Sequence, residues 1–212
     1  MARGKFITLE GGEGAGKTTQ ARLLAEGLHA AGLEVVTTRE PGGSPGAEHI
    51  RELLVNGDVE RWDPMTEALL HFAARRDHLV KTVWPALEAG RWVVCDRFTD
   101  STLAYQGIGL GLGRDAVEAI ARSAVGAFAP DLTIILDLAV DVGLARAKAR
   151  SDDHHRYERM DRAFHERLRQ GFLDIAGREP ARCVVIDGAR AIEDVQRDVR
   201  GAVRARLKIE IA

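Results

Sequence analysis

Gly11-Gly12-Glu13-Gly14-Ala15-Gly16-Lys17-Thr18 has the spacing G-x-x-x-x-G-K-[ST] of a phosphate-binding loop. Glycines let a backbone curl so that successive N–H groups point at phosphate oxygens, and a helix N-terminus behind them adds favourable charge. Lys17 is suited to the β- and γ-phosphates of a nucleoside triphosphate and Thr18 to ligating Mg²⁺, with Thr19 closing the ATP-binding run that starts at Gly11. The bland alternative is a glycine-rich turn that merely starts a helix; a buried strand pattern before the motif and a helical pattern after it argue against that. The only asparagine is Asn56, so the Asn-Lys-x-Asp loop with which G proteins read guanine is missing. At 212 residues the chain is also too short for a large motor or transporter ATPase. Small-molecule kinases and small regulatory ATPases remain.

A second cluster follows another strand pattern. Asp96-Arg97-Phe98 comes directly after Trp92-Val93-Val94-Cys95, and in an open parallel sheet ligands gather at the carboxyl ends of strands. Asp96 is the second candidate for holding hydrated Mg²⁺, and Arg97 can fork onto a phosphate. Alone, the pair reads equally well as a structural ion pair. Thr38-Arg39-Glu40-Pro41-Gly42-Gly43 ends a further strand in the same manner and brings Arg39 to the same edge. Two arginines there, beyond Lys17, point to a second phosphate-bearing ligand.

The elements that must position these residues are legible as short apolar runs alternating with helical patterns. Strands are expected at Phe6–Leu9, Glu34–Thr38, Arg91–Cys95, Leu132–Leu136 and Cys183–Ile186. Helical spacing recurs in Ala21/Leu24/Ala25/Leu28/Ala31 with Gly32 as the stop, in Val117/Ile120/Ala121/Ala124, in Met160/Phe164/Leu168/Phe172/Ile175 and in Ile192/Val195/Val199/Val203. Such alternation implies an α/β fold: a five-stranded parallel sheet with helices on both faces, in one domain spanning 1–212. The loop Glu40 to Gly46 and the charged run Arg150 to Arg156 read as mobile.

Composition fits that class: 45% hydrophobic and 29% charged residues, with 30 Lys+Arg against 32 Asp+Glu. The net charge of −2 offers no basic field for nucleic acid. No apolar run approaches the roughly eighteen residues of a bilayer span, and Glu10 interrupts the first apolar stretch too early for a signal peptide. Cys95 and Cys183 read as buried, reduced strand residues of a cytoplasmic protein.

The phosphate loop with acidic Glu13, Thr38-Arg39-Glu40-Pro41-Gly42-Gly43, Phe72-Ala73-Ala74-Arg75-Arg76-Asp77-His78, Asp96-Arg97-Phe98 and Ala104-Tyr105-Gln106-Gly107 stand in the order found in the thymidylate kinase (dTMP kinase) family, bacterial type, which the chain resembles. The resemblance implies ATP-dependent conversion of dTMP to dTDP on a nucleoside-monophosphate-kinase fold, with Mg²⁺, in a homodimer. Its monophosphate-binding region would be about 39–78 and its lid about 146–159. Carried over residue by residue, Arg39 and Arg97 bind the dTMP phosphate, Glu13 lies near the sugar 3′-hydroxyl and Arg51 near the base pocket. Tyr105 crowds the 2′ position, and Thr102 and Gln106 meet the thymine edge. The family stacks thymine on a Phe four residues before a base-binding Arg. Here that spacing yields His71/Arg75 or, with a shift of one residue, Phe72/Arg76. Ungapped comparison favours His71, whose stacking would depend on pH near 6–7.

Gly14 and Ala15 replace a basic residue of another branch, so the resemblance expects the transition-state cation from the lid, at Arg150 or Arg156. The attacking phosphate oxygen is already ionised near neutrality, its second pKa being about 6. None of the seven histidines is therefore needed as a general base. Two other readings stay open at this point: a kinase for dUMP or dCMP, and a P-loop protein that uses ATP as a conformational switch.

Overall fold

The computed structural model describes residues 3–150 and 156–211, Arg150 by its backbone alone. Five strands form one parallel sheet: β1 (Phe6–Glu10), β2 (Val35–Arg39), β3 (Trp92–Asp96), β4 (Leu132–Asp137) and β5 (Cys183–Asp187), in the order β2-β3-β1-β4-β5. Each matches its expected run to within a residue or so.

Alternation along the strands divides the core. Phe6, Val93, Cys95, Ile135 and Cys183 face one layer with Phe72, Phe98, Phe164, Leu168 and Phe172. Ile7, Leu9, Val94, Ile134 and Leu136 face the other, against Ala21, Leu24 and Leu28 of α1 (Lys17–Ala30) and Val195, Val199 and Val203 of α9 (Ile192–Leu207). β1 is buried at every position, as a central parallel strand must be. Helix α1 ends where the glycine stop was expected, with Gly32 at φ 82°. Both cysteines are buried free thiols.

The remaining helices are α2 (Pro45–Val55), α3 (Pro64–His78), α4 (Trp84–Glu88), α5 (Thr99–Thr102), α6 (Arg114–Ala124), α7 (Val140–Arg150) and α8 (Arg162–Arg178). Asp63 starts α3 by accepting from the N–H groups of Met65 and Thr66, with Pro64 at the first helical position. Two π-helical stretches, Leu79–Val83 and Leu103–Gly109, interrupt the 3.6-residue period. The second carries Tyr105 and Gln106, and π turns recur where side chains must be re-aimed at a site.

The loop read as mobile, Glu40 to Gly46, is tied down. Glu40 is buried beneath it, the Gly43 N–H donates to Glu48 at 2.8 Å and the Ser44 hydroxyl to Asp77 at 2.6 Å. Glycine content signals backbone freedom but says nothing of such side-chain anchors.

Candidate active site

The loop Gly11–Thr18 joins β1 to α1 at the carboxyl edge of the sheet. Helix α1 starts at Gly16 with φ 93° and no side-chain cap, so its first N–H groups are left for an anion. Gly14 has φ 66°, and a Cβ there would lie 2.0 Å from the Gly143 carbonyl oxygen. Only glycine allows α7 to seat so closely against the loop.

Lys17 Nζ donates to the Gly12 carbonyl at 2.7 Å, and Thr18 Oγ1 donates to Asp96 Oδ2 at 2.6 Å. Burial, followed by the nearby Arg97 charge, lowers Lys17 to about 8 despite partial compensation from Asp96 and Glu13. Arg97 adopts φ 74°, a conformation costly for a side chain with a Cβ. It is held there by its own N–H on the Leu9 carbonyl and by the Phe98 N–H on Glu10 Oε1 at 2.7 Å. The turn aims the guanidinium back at the loop. It donates to the Gly11 carbonyl at 3.0 Å and to Glu13 at 3.1 Å, over the Tyr105 ring. Tyr105 also donates to Glu13, at 2.5 Å. Burial would raise the Glu13 carboxyl, but Arg97 and then Lys17 outweigh it and bring it to about 2.

One cavity of about 500 Å³ runs across these groups. Its walls include Lys17, Thr18, Arg97 and Asp96 towards the loop, and Thr102, Tyr105 and Gln106 towards α5. Glu13, Gly14, Gly16, Thr19, Arg39, Arg51, His71 and Arg75 line it as well. Gly11 and Gly12 line a separate cleft of about 20 Å³ with His165 and Asp137. Ala15 packs into the core. Arg39 is solvated, donating to Glu48 at 2.9 Å, and Arg51 donates to the Pro41 carbonyl at 2.8 Å.

Of the two stacking candidates, His71 faces the cavity and Phe72 does not; Phe72 is a core residue with the Arg75 guanidinium over its ring. Arg76 leaves the site altogether, donating to the Ala124 carbonyl and lying over Trp84. The expected titration of His71 near 6–7 is corrected. Burial first, then the charges of Arg75 and Arg156, hold its imidazole well below the usual histidine range.

Arg75 is buried and oriented by three partners drawn from the expected motifs and site residues. Its Nε donates to Glu40 at 2.7 Å, Nη1 to Thr102 Oγ1 at 3.0 Å and Nη2 to the Phe98 carbonyl at 2.9 Å. His78 contacts the other Glu40 oxygen at 2.9 Å and Thr38 at 2.8 Å. Glu10 was missed: fully buried, it accepts from the Phe98 N–H and from Ser101. Its position immediately before Gly11, closing an otherwise apolar strand, was the available signal.

Arg156 does not supply a lid cation in this structure. It is fully buried, with Nε donating to the Leu54 carbonyl at 3.1 Å, Nη1 to the Val59 carbonyl at 2.9 Å and Nη2 to Glu67. The charged run suggested a solvated side chain; Arg156 instead ties the short helical turn Arg156–Arg159 to α2, to α3 and to the loop between them. The Arg150 side chain and residues 151–155 lie outside the described residues.

The model of the thymidylate kinase family matches residues 9–199. A thymidylate kinase of Caulobacter vibrioides is 54% identical over 207 residues, 98% of this chain and 99% of that one. One of Rhizorhabdus wittichii is 51% identical over 193 residues, 91% and 93% of the two chains. The crystal structure of thymidylate kinase from Ehrlichia chaffeensis, 38% identical, matches with a TM-score of 0.76 over 95% of this chain and 99% of that one.

Proposed function

The chain belongs to the thymidylate kinase family, and from that premise we propose how its residues convert dTMP to dTDP with ATP. The observation that carries the assignment of roles is the single cavity with a triphosphate loop at one end and a polar pocket at the other. Arg97 contacts both the Gly11 carbonyl and the Tyr105 ring and so spans the two ends.

The β- and γ-phosphates of ATP occupy loop 11–18, where Lys17 exchanges the Gly12 carbonyl for phosphate oxygens. Arg97 and Arg39 take the dTMP phosphate. Glu13, held ionised by Arg97 and Lys17, accepts from the sugar 3′-hydroxyl, and Tyr105 fills the space a 2′-hydroxyl would need. The base lies against the neutral His71 ring, with Arg51 at the rim and Thr102, Gln106 and Arg75 at its edge. Three of the five guanidinium N–H groups of Arg75 are engaged, leaving donors for a base carbonyl.

Thr18 and Asp96 are suited to Mg²⁺: a hydroxyl and a carboxylate already 2.6 Å apart, both hard oxygen donors on the cavity wall. Among the described residues no group of three or more His, Cys, Asp or Glu could hold a metal by itself, as expected of an ion that takes its other ligands from phosphates and water. When bound, Mg²⁺ neutralises charge on the β- and γ-oxygens. The rest is alignment: an ionised dTMP oxygen bonds to the γ-phosphorus as its bond to the β–γ bridging oxygen breaks, releasing ADP without a general base. With Arg156 fixed in the wall, the lid cation falls to Arg150.

The reading extends to a cytoplasmic homodimer. Met65 (40% exposed) and Leu69 (50%) on α3 and Val80 (45%) just beyond it, with Leu53 (40%) on α2, leave an apolar surface that a second copy would cover. Among the described residues no helix is long and apolar enough to cross a membrane.

A coupled ADP-release assay with ATP–Mg²⁺ and dTMP, dUMP, dCMP, UMP or AMP tests the assignment. Strong preference for dTMP is expected, with dUMP a weaker substrate because one methyl is worth only about 1–3 kcal/mol. Equal rates on all five acceptors would refute the base pocket, and no acceptor-dependent turnover would refute the kinase.

A further inference from the structure

Gln106 is buried, lines the cavity and has a side-chain carbonyl oxygen with no hydrogen-bond partner. Its amide nitrogen donates to Glu67 Oε1 at 2.8 Å. Which end of a glutamine amide faces a ligand is decided by what holds the other end, because one end only donates and the other only accepts.

What holds it here is a carboxylate that cannot donate. Glu67 is fully buried on α3, with its second oxygen paired to the Arg156 guanidinium. Oε1 also accepts from the Tyr157 hydroxyl at 2.8 Å. Tyr157, with its one O–H directed at Glu67, must accept from His71 Nε2 at 2.9 Å, so the neutral imidazole carries its proton on that nitrogen. Every member of the chain His71–Tyr157–Glu67–Gln106 thus has one allowed sense. Turning the Gln106 amide over would set two acceptor oxygens against each other inside a buried network, the arrangement such interiors tolerate least.

We propose that Glu67 is the positioning residue for base specificity: by holding the Gln106 amide nitrogen it leaves the carbonyl oxygen as the one unpartnered end of the amide, and so selects a base whose facing edge carries an N–H donor. This rests on the proposed placement of the base at Gln106 and Arg75. A thymine or uracil ring offers N3–H to the Gln106 oxygen and a neighbouring carbonyl to the spare N–H groups of Arg75. Cytosine reverses both, placing an unprotonated N3 against the carbonyl and an amino group against the guanidinium. A buried polar pair left in that state discriminates far more strongly than a missing methyl does. Arg156, rather than reaching the transferring phosphate, anchors the carboxylate on which this selection depends.

Glu67→Gln tests it through a reversal. Arg156 requires an oxygen, so the new amide presents its nitrogen to Gln106, whose own amide must then turn its NH₂ towards the cavity. The kcat/KM ratio of dTMP to dCMP is expected to fall roughly 10²-fold or more, mainly through KM, with dTMP worsening while dCMP improves. Equal losses on both substrates, leaving the ratio unchanged, would reduce Glu67 to a structural role and overturn the proposal. A wild-type protein without preference for dTMP over dCMP would instead refute the base placement itself.

If Glu67→Gln does not fold, the wild-type protein still decides by nuclear Overhauser contacts of the Gln106 side-chain amide protons. Contacts to Glu67 and Tyr157, with and without dTMP, are expected. Contacts to the bound base in their place would contradict the proposal.

Discussion

Lys17 illustrates how a single side chain can be prepared for its ligand. Burial and the neighbouring Arg97 make its proton easier to lose and bring it down to about 8. A polyphosphate stabilises the ammonium form, so binding above that pH must take up a proton. The affinity for ATP is therefore expected to be flat below about pH 7.5 and to weaken by up to roughly tenfold per pH unit above about 8. Calorimetric titration across that range, in buffers of different ionisation heat, should show the proton uptake; constant affinity up to about pH 9.5 would contradict it. At this scale the convergence of the loop, Asp96, Arg39 and Arg97 on one cavity was legible, because each stands at the end of a strand pattern in a parallel sheet. His71 was favoured over Phe72 by the resemblance alone, and it is His71 that lines the cavity; the residues themselves do not show which side of the helix faces the site, because that direction is set by tertiary packing. Arg156 was misread for a related reason: a charged run carries no sign of which of its members finds a buried carboxylate.

The two strand ends, β1 and β3, are locked together by Glu10. Its carboxyl spans the Phe98 N–H and the Ser101 hydroxyl, and that clamp keeps Arg97 in its positive-φ turn. Burial, followed by the Asp100 charge, raises Glu10 to about 7. A folded-state value above the unfolded one means that the folded state binds the proton more tightly. Stability is then fullest below about 4.5 and declines as pH rises through about 7. Glu10→Gln retains an acceptor for the Phe98 N–H and removes the titration. The wild-type melting temperature should fall between about pH 5 and about pH 8.5, by an amount on the order of 2–3 kcal/mol in stability, and the fall should be smaller in the variant. Identical pH profiles would show that Glu10 does not titrate in this window. The five strands were readable from β-branched runs, and α1, α6, α8 and α9 from their apolar faces. The π-helical stretches were not, because a sequence period of 3.6 has no marker for the extra residue, and it is one of these stretches that delivers Tyr105 and Gln106 to the cavity.

Across the whole molecule, the sheet order β2-β3-β1-β4-β5 gathers the carboxyl ends of β1, β2 and β3 at one edge. Residues as far apart in the chain as Lys17, Arg39, Asp96 and Arg97 thereby meet in one cavity. On the proposed function, this cavity aligns two anions and Lys17 serves the transferring phosphoryl group rather than the acceptor. The most direct test is Lys17→Ala, with turnover measured by ADP release and dTMP binding measured by calorimetry on the same preparation. Removing a preorganised cation of this kind is expected to lower kcat by roughly 10³-fold or more while leaving the dTMP Kd within about threefold of wild type. A variant that keeps more than about a tenth of the wild-type rate, or that loses dTMP binding together with turnover, would contradict the assignment.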